Sequence, residues 1–308
     1  MKKITMKDIA KEAKVSTATV SYILNSVESQ SISEDTKEKV MKAAQKLNYI
    51  RNLNARTLKS GKSELIGILL PQTAGESYWT PYRYTKAIFH LGKYLNRHGY
   101  HLIVVHIDPD SPKLDILLER EVDGVFVLNA AAKTFYQISK RYGLGIPLIG
   151  IDTYNEDTLF HKLIPDFTAA IAKVAELLGR RPDFVVIDDY RDKKYVDTIK
   201  AATGLDQRDI HAYADERRLR KFLAGRSGQA GCVINEFLCN QVLAEPFGGR
   251  VVAVCTSGVP ELLPPSVPKV IFDPAAYEEA ADILIRYIQQ PHEPIDKKII
   301  RLAVQDEE

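Results

Sequence analysis

The sequence has little that would mark a catalyst, a membrane protein or a secreted protein. Cysteine occurs three times in 308 residues, as Cys232, Cys239 and Cys255, with no CxxC and no histidine at ligand spacing. An odd count so placed argues against a disulfide framework and a zinc site, leaving small buried thiols in a reducing compartment. No stretch reaches the roughly 18 apolar residues that a membrane span needs. The opening MKKITMKDIAKEAKV has no apolar segment of the secretory kind, so the expected location is cytoplasmic. Neither a P-loop nor a Gly-x-Ser-x-Gly elbow is present. Gly225-Arg226-Ser227-Gly228 has the wrong spacing for a dinucleotide fingerprint, and His161, His211 and His292 are scattered. Asp188-Asp189 are adjacent carboxylates at the end of an apolar run, so their side chains point apart and a solvated turn is expected. The expectation is therefore a protein with no catalytic residue, no metal and no cofactor.

What is there is a soluble chain long enough for two or three domains, 45% hydrophobic and 27% charged. Its net charge of +2 hides an asymmetry. Residues 1–62 carry 13 Lys/Arg against 6 Asp/Glu, and the remainder 29 against 34. A basic head on a mildly acidic body is the footprint of a nucleic-acid module joined to something else.

Within the head, Thr5 is placed to cap a helix over Met6–Ala13, with Asp8 in capping-box position. Lys14-Val15-Ser16 forms a tight break, and a second helix begins near Thr17 with Val20 and Leu24 facing inward. Its outer face carries Thr17, Ala18, Ser21, Tyr22 and Asn25, small or polar apart from Tyr22, as entry into a major groove requires. A third helix starts at Ser33-Glu34-Asp35-Thr36 and turns Val40, Ala43, Ala44 and Leu47 inward. Three such helices in fifty residues, with a short turn between the first two, predict a helix-turn-helix domain.

These residues resemble the head of the lactose-repressor/galactose-repressor (LacI/GalR) family. The likeness runs without a gap over about sixty residues through Lys7-Asp8-Ile9-Ala10, Val15-Ser16, Thr19-Val20-Ser21, Leu24-Asn25, Ser33, Thr36, Lys39-Val40 and Leu47-Asn48-Tyr49. The resemblance implies that Thr17, Ala18 and Tyr22 read base edges. It implies that Thr5, Ser16, Thr19, Ser21, Asn25, Ser33, Thr36 and Tyr49 meet the phosphate backbone or steady the head on it. Tyr22 departs from the arginine that many members carry there, which implies a different base preference, since one hydroxyl replaces a bidentate guanidinium.

Residues 51–62 follow, with Asn52, Ala55 and Leu58 nearly on one face and Arg56, Lys59 and Lys62 around Leu58. Two turns of helix are marginal alone in water. By itself the stretch is either a linker helix packing Leu58 on the core or a wedge for a minor groove. The resemblance favours the wedge: a hinge helix that pairs with its twin on DNA, implying a homodimer on a pseudo-palindromic operator.

From residue 63 apolar runs alternate with helical segments to the end, which predicts mostly parallel, doubly wound α/β sheets, with ligands outside the carboxyl ends of the strands. The layout is similar to the two-lobed, periplasmic-binding-protein-like core of the same family. The expected division is a head over 1–50, a hinge over 51–62 and a core over 63–308. Lobe 1 is expected over about 63–160 plus 274–297, and lobe 2 over about 161–273 plus the C-terminal strand. The resemblance implies a sugar-related or other metabolite effector between the lobes, held by Asp152 and by Asn235-Glu236. Two usual features are missing: Tyr195 replaces an arginine, and Thr256-Ser257-Gly258 stands where an acidic motif is usual. Tyr78, Trp79 and Tyr82 are placed either to stack on a sugar face or to pack at a lobe or dimer seam. Asp152 is alternatively a strand-end cap and Asn235 a helix start. The sequence thus predicts a DNA-binding transcription regulator, most simply a repressor. Its core either senses a small molecule or, with an eroded cleft, answers to a protein partner or to its own abundance.

Overall fold

The computed structural model describes residues 4–24, 32–47, 62–72, 76–142, 145–154 and 159–305. The chain divides into two compact units, Met1–Gly61 and Lys62–Glu308. The first holds three helices: α1 (Met6–Ala13), α2 (Thr17–Leu24) and α3 (Glu34–Lys46). The Asp8 carboxylate accepts from the Thr5 N–H at 2.8 Å and from its hydroxyl at 2.7 Å. Lys14, at a φ of 55°, ends α1 in the left-handed conformation, and Ser16 accepts from the Thr19 N–H at 3.0 Å to start α2. Each helix contributes one residue with no exposed surface, Ile9, Val20 and Val40. This small core fits the amphipathic spacing of all three helices.

In the second unit the chain builds one lobe, crosses to another and returns. The first lobe runs through β1 (Leu65–Pro71), α4 (Thr85–Arg97), β2 (His101–Ile107), α5 (Asp115–Glu119), β3 (Gly124–Leu128), α6 (Ala132–Tyr142), β4 (Leu148–Ile151) and β5 (His161–Pro165). The second comprises α7 (Phe167–Leu178), β6 (Phe184–Ile187), α8 (Lys193–Thr203), β7 (Ile210–Ala212), α9 (Glu216–Ala224), β8 (Ala230–Ile234), α10 (Glu236–Ala244), β9 (Arg250–Cys255) and β10 (Lys269–Ile271). The chain then returns through α11 (Ala275–Gln289) and β11 (Ile299–Leu302). The sheets have the orders β11-β5-β4-β3-β1-β2 and β10-β9-β8-β6-β7, and every ladder pairing is parallel. This is the two-lobed, doubly wound architecture the alternating pattern predicts.

The expected lobe boundary needs correction. Residues 161–165 and the C-terminal strand, expected in lobe 2, both lie in the first sheet, where Leu163 pairs with Ile151 on one side and Ile300 on the other. The crossing falls one strand later, at Asp166, whose side chain accepts from the Ala169 N–H at 3.0 Å and caps α7. His161 and Lys162 make this strand look polar. Tertiary contacts satisfy the histidine: its Nδ1 lies 2.8 Å from the Lys297 carbonyl and its Nε2 3.0 Å from the Tyr287 hydroxyl. The Lys162 ammonium sits over the Tyr154 ring at 5.5 Å.

One apolar cluster runs through both lobes, from Ile66 and Phe126 in the first to Val185 and Val254 in the second. In the second sheet Gly231 admits the ring of Phe184, which would lie 2.2 Å from an added Cβ. Phe222 and Phe247 hold that ring edge-on, at 5.8 and 5.9 Å between centroids. Gly231→Ala is therefore expected to cost roughly 1–3 kcal/mol through overpacking. It should lower the urea midpoint at constant slope; an unchanged midpoint would contradict this packing.

Candidate functional site

Two surfaces carry the residues singled out by the sequence. In the helical unit, Thr17 and Ala18 are exposed on α2, and Thr19, Ser21 and Tyr22 half-buried beside them. Val20 and Leu24 of the same helix are buried. Thr5, Ser16, Ser33 and Thr36 sit at the helix starts. The Ser16 and Thr19 hydroxyls are 2.9 Å apart, and those of Ser33 and Thr36 are 2.8 Å apart. Asn25, Tyr49, Asn52, Ala55 and Leu58 lie outside the described residues. The lysines of α3 are paired: Lys37 with Glu34, Lys39 with Asp35, Lys42 with Glu38 and Lys46 with Glu12, at 2.6–2.7 Å. The positive charge of the unit is thus partly masked along α3.

In the larger unit the carboxyl ends of the strands are marked by backbone strain. Asn129 after β3, Asp152 after β4 and Asn235 after β8 have φ of 46°, 50° and 103°. Non-glycine residues rarely take such values, and strain of this kind clusters where a site over-determines the chain. All three are buried. Each of the three side chains is engaged within the protein.

Asp152 accepts from two tyrosines, the Tyr84 hydroxyl at 3.0 Å on Oδ2 and the Tyr195 hydroxyl at 2.8 Å on Oδ1. Tyr195, in the position of the missing arginine, is only 1% exposed. Asn235 caps α10, its Oδ1 accepting from the Phe237 and Leu238 N–H groups, while its Nδ2 donates to Ser257 at 2.9 Å. Glu236 has no exposed surface and holds the loop after β9, accepting from the Ser257 and Val259 N–H groups at 2.9 Å each. Trp79 is 1% exposed, without a free face for stacking, and its indole N–H donates to Asp188 at 3.0 Å. Tyr78 and Tyr82 are exposed and reach the other lobe, Tyr78 accepting from Gln241 at 3.0 Å and Tyr82 stacking near Phe237.

The sequence did not point to Arg83, Tyr84, Asn129 or Tyr190, and it misplaced Asp188. That carboxylate is fully buried, with Arg83 Nη2 at 2.7 Å from its Oδ2, so the solvated turn expected there is wrong for Asp188. Asp189 is the exposed member of the pair. The Arg83 guanidinium lies 4.8 Å from the centre of the Tyr190 ring, and the Tyr190 hydroxyl donates to Thr256 at 3.1 Å. Asn129 accepts from the Arg191 N–H at 3.1 Å. For Asn129 and Asp188 a signal existed in the sequence, a polar residue directly after an apolar strand. Arg83 and Tyr84 lack one. Beside this network remains a cavity of about 220 Å³, bordered by Lys86, His90, Asp152, Thr256, Tyr277 and Gln305 among others.

Burial dominates the electrostatics. It raises the Asp152 pKa from 3.8 to about 6, against the lowering effect of the two tyrosine donors and Arg83. Burial also raises Tyr84, Tyr190 and Tyr195 well above the usual phenol range, so they remain neutral donors. Burial opposes the charge of Arg83, but Asp188 foremost and Asp152 among the others outweigh it, and the pKa is raised. Among the described residues no group of three or more His, Cys, Asp and Glu is arranged to hold a metal, and no helix is long and apolar enough to cross a membrane.

The comparisons with known proteins agree with this architecture. The sequence pattern described as "Bacterial regulatory proteins, lacI family" matches residues 5–52. That match takes in the three helices of the first unit. The chain is similar to the HTH-type transcriptional regulator RegA of Clostridium acetobutylicum, 34% identical over 56% of this chain and 49% of that protein. It is also similar to the ribose operon repressor of Haemophilus influenzae, 30% identical over 48% of this chain and 43% of that protein. The match thus spans less than half the length of either relative. A structure of the lac repressor dimer bound to operator and the anti-inducer ONPF shares the fold, with a TM-score of 0.72 at 16% identity over 98% of this chain and 97% of that one.

Asp152 gives a pH signature. Its folded pKa lies above the unfolded value of 3.8, so its contribution is complete below about pH 4 and lost as pH rises through about 6. Two pKa units correspond to about 3 kcal/mol. Between pH 4 and pH 7 the wild type should therefore lose up to about that much relative to Asp152→Asn, measured by urea melts at each pH. Parallel pH profiles for the two proteins would rule out a strained buried carboxylate.

Proposed function

We propose that this protein is a DNA-binding transcription regulator, most simply a repressor, acting as a cytoplasmic homodimer on a pseudo-palindromic operator. The observation that carries the proposal is the outer face of α2, small and polar around Thr17, Ala18, Ser21 and Tyr22, on a helix packed from behind by Ile9 and Val40. Such a face fits a major groove. With few strong hydrogen-bonding side chains toward base edges, specificity rests more on the minor groove and on DNA shape. That role falls to the segment of Asn52, Ala55 and Leu58, whose leucine is the wedge.

For the core, a metabolite effector gripped by Asp152, Asn235 and Glu236 is the first reading, and a cleft that no longer takes a sugar is the second. The geometry favours the second, because all three side chains are bound within the protein itself. On this reading operator occupancy is set by a protein partner or by the abundance of the regulator.

Operator affinity should fall steeply with salt, each neutralised phosphate adding about −0.9 to the slope of log affinity against log salt. A flat dependence would contradict groove binding by a basic head. Leu58→Ala should weaken operator binding roughly tenfold or more and reduce DNA bending in a gel-shift phasing assay while leaving the dimer intact. Unaltered binding and bending would remove the wedge.

A further inference from the structure

We propose that the cleft is closed from within: the Tyr195 hydroxyl takes the place on Asp152 that a ligand hydroxyl would take, and the Arg83–Asp188 pair ties the lobes, so the core stays shut without a ligand. This deepens the second reading of the cleft given above and rests on it.

The residues come from both sides of the cleft. Arg83, Tyr84 and Asp152 belong to the first lobe and Asp188, Tyr190 and Tyr195 to the second, while Trp79, from the segment after β1, is packed in the apolar core of the second. Among these residues Tyr195 reaches Asp152 at 2.8 Å, Arg83 reaches Asp188 at 2.7 Å and Trp79 reaches Asp188 at 3.0 Å, beside other links between the lobes such as the Arg191 N–H to Asn129 and Gln241 to Tyr78. All seven side chains are at most 6% exposed. A sugar effector in such a cleft donates hydroxyl hydrogens to a carboxylate while its apolar face meets aromatic rings. Here a phenol does both. Its hydroxyl binds Asp152, and its ring packs edge-on against Phe167 at 5.6 Å and Tyr190 at 4.8 Å. With Tyr84 on the other oxygen, each oxygen of the carboxylate has a donor before any ligand arrives. A polyhydroxyl ligand seated where the phenol lies must displace Tyr195.

A second feature makes closure the resting arrangement. The apolar cluster is continuous across the gap through Phe167, Tyr190, Tyr195 and Phe272, so opening exposes aromatic surface as well as breaking the polar contacts. Closure driven by the protein's own side chains leaves a ligand little equilibrium to shift, because a ligand acts only through its differential affinity for two states.

The test uses the full chain without DNA, so it is independent of operator binding. Spin labels are placed on Lys133→Cys and Arg217→Cys. Both positions are exposed and lie at the starts of α6 and α9, one in each lobe, while the three native cysteines are buried. The wild-type core should give one narrow distance distribution that 10 mM D-ribose, D-glucose or cellobiose leaves unchanged. Tyr195→Ala should enlarge the long-distance population about tenfold or more, as loss of a hydrogen bond to a charged group implies. In that variant p-cresol, which restores both ring and hydroxyl, should recover the narrow distribution, whereas toluene, which restores the ring alone, should not. Rescue by toluene as complete as by p-cresol, an unaltered distribution in Tyr195→Ala, or a sugar-induced shift in the wild type would each overturn the proposal. Should circular dichroism show Tyr195→Ala unfolded, Tyr195→Phe decides: a broadened distribution supports the latch and a wild-type one overturns it. Loss of operator binding with the distances as expected would count against the DNA-binding role and leave the latch standing.

Discussion

A carboxylate buried between two lobes must be given hydrogen-bond donors or a proton, and the core of this protein is arranged around that requirement. Asp152 sits in a left-handed conformation at the end of β4, which turns its side chain into the gap, and phenol hydroxyls from both lobes converge on it. The nearby Asp188 has the same need and meets it with the Trp79 indole and the Asp189 N–H on Oδ1 and with the charge of Arg83 beside Oδ2. An isolated buried charge of either kind costs several kcal/mol, so these partners must stay together. That requirement, more than the sheets themselves, fixes how residues 76–85 lie against the second lobe.

The strain at Asn129, Asp152 and Asn235 belongs to the same arrangement. Parallel strands end at a common edge, and a residue held there in the left-handed region turns the chain abruptly into the next helix or loop. Each of the three spends its side chain on a contact that steadies a neighbouring segment. Asn129 receives the Arg191 N–H, Asp152 the tyrosines, and Asn235 both the start of α10 and Ser257. All three side chains are thus bonded within the protein.

Much of the fold was legible from spacing. The runs at 65–70, 124–128, 184–187, 231–234 and 251–255 are strands because parallel strands are buried on both faces and read as continuous apolar stretches. The head helices were legible from their caps and 3.6-residue periodicity. The misread boundary has a physical cause. β5, which belongs to the first sheet, begins with His161 and Lys162; the histidine is met by residues about 130 positions away, and the lysine lies over a ring from the loop after β4. The candidate cleft residues Asp152, Asn235 and Tyr195 were findable, being polar groups beside strand ends and helix starts. Their partners were not, since a hydroxyl at position 84 gives no sign that it will meet a carboxylate at 152.

The sequence by itself determined the kind of protein this is: a basic three-helix head with a small polar outer face, ahead of an alternating α/β chain. Caps, periodicity and charge are local, and short-range physics suffices to read them. Only the tertiary structure decided how the polar residues between the lobes are partnered. Whether Asp152 awaits a ligand or is already satisfied depends on Tyr195 arriving from the other lobe, and whether Asp188 is solvated or buried depends on Arg83, more than 100 residues earlier. Burial and hydrogen-bond satisfaction are properties of positions brought together by folding, and no window of sequence contains both partners.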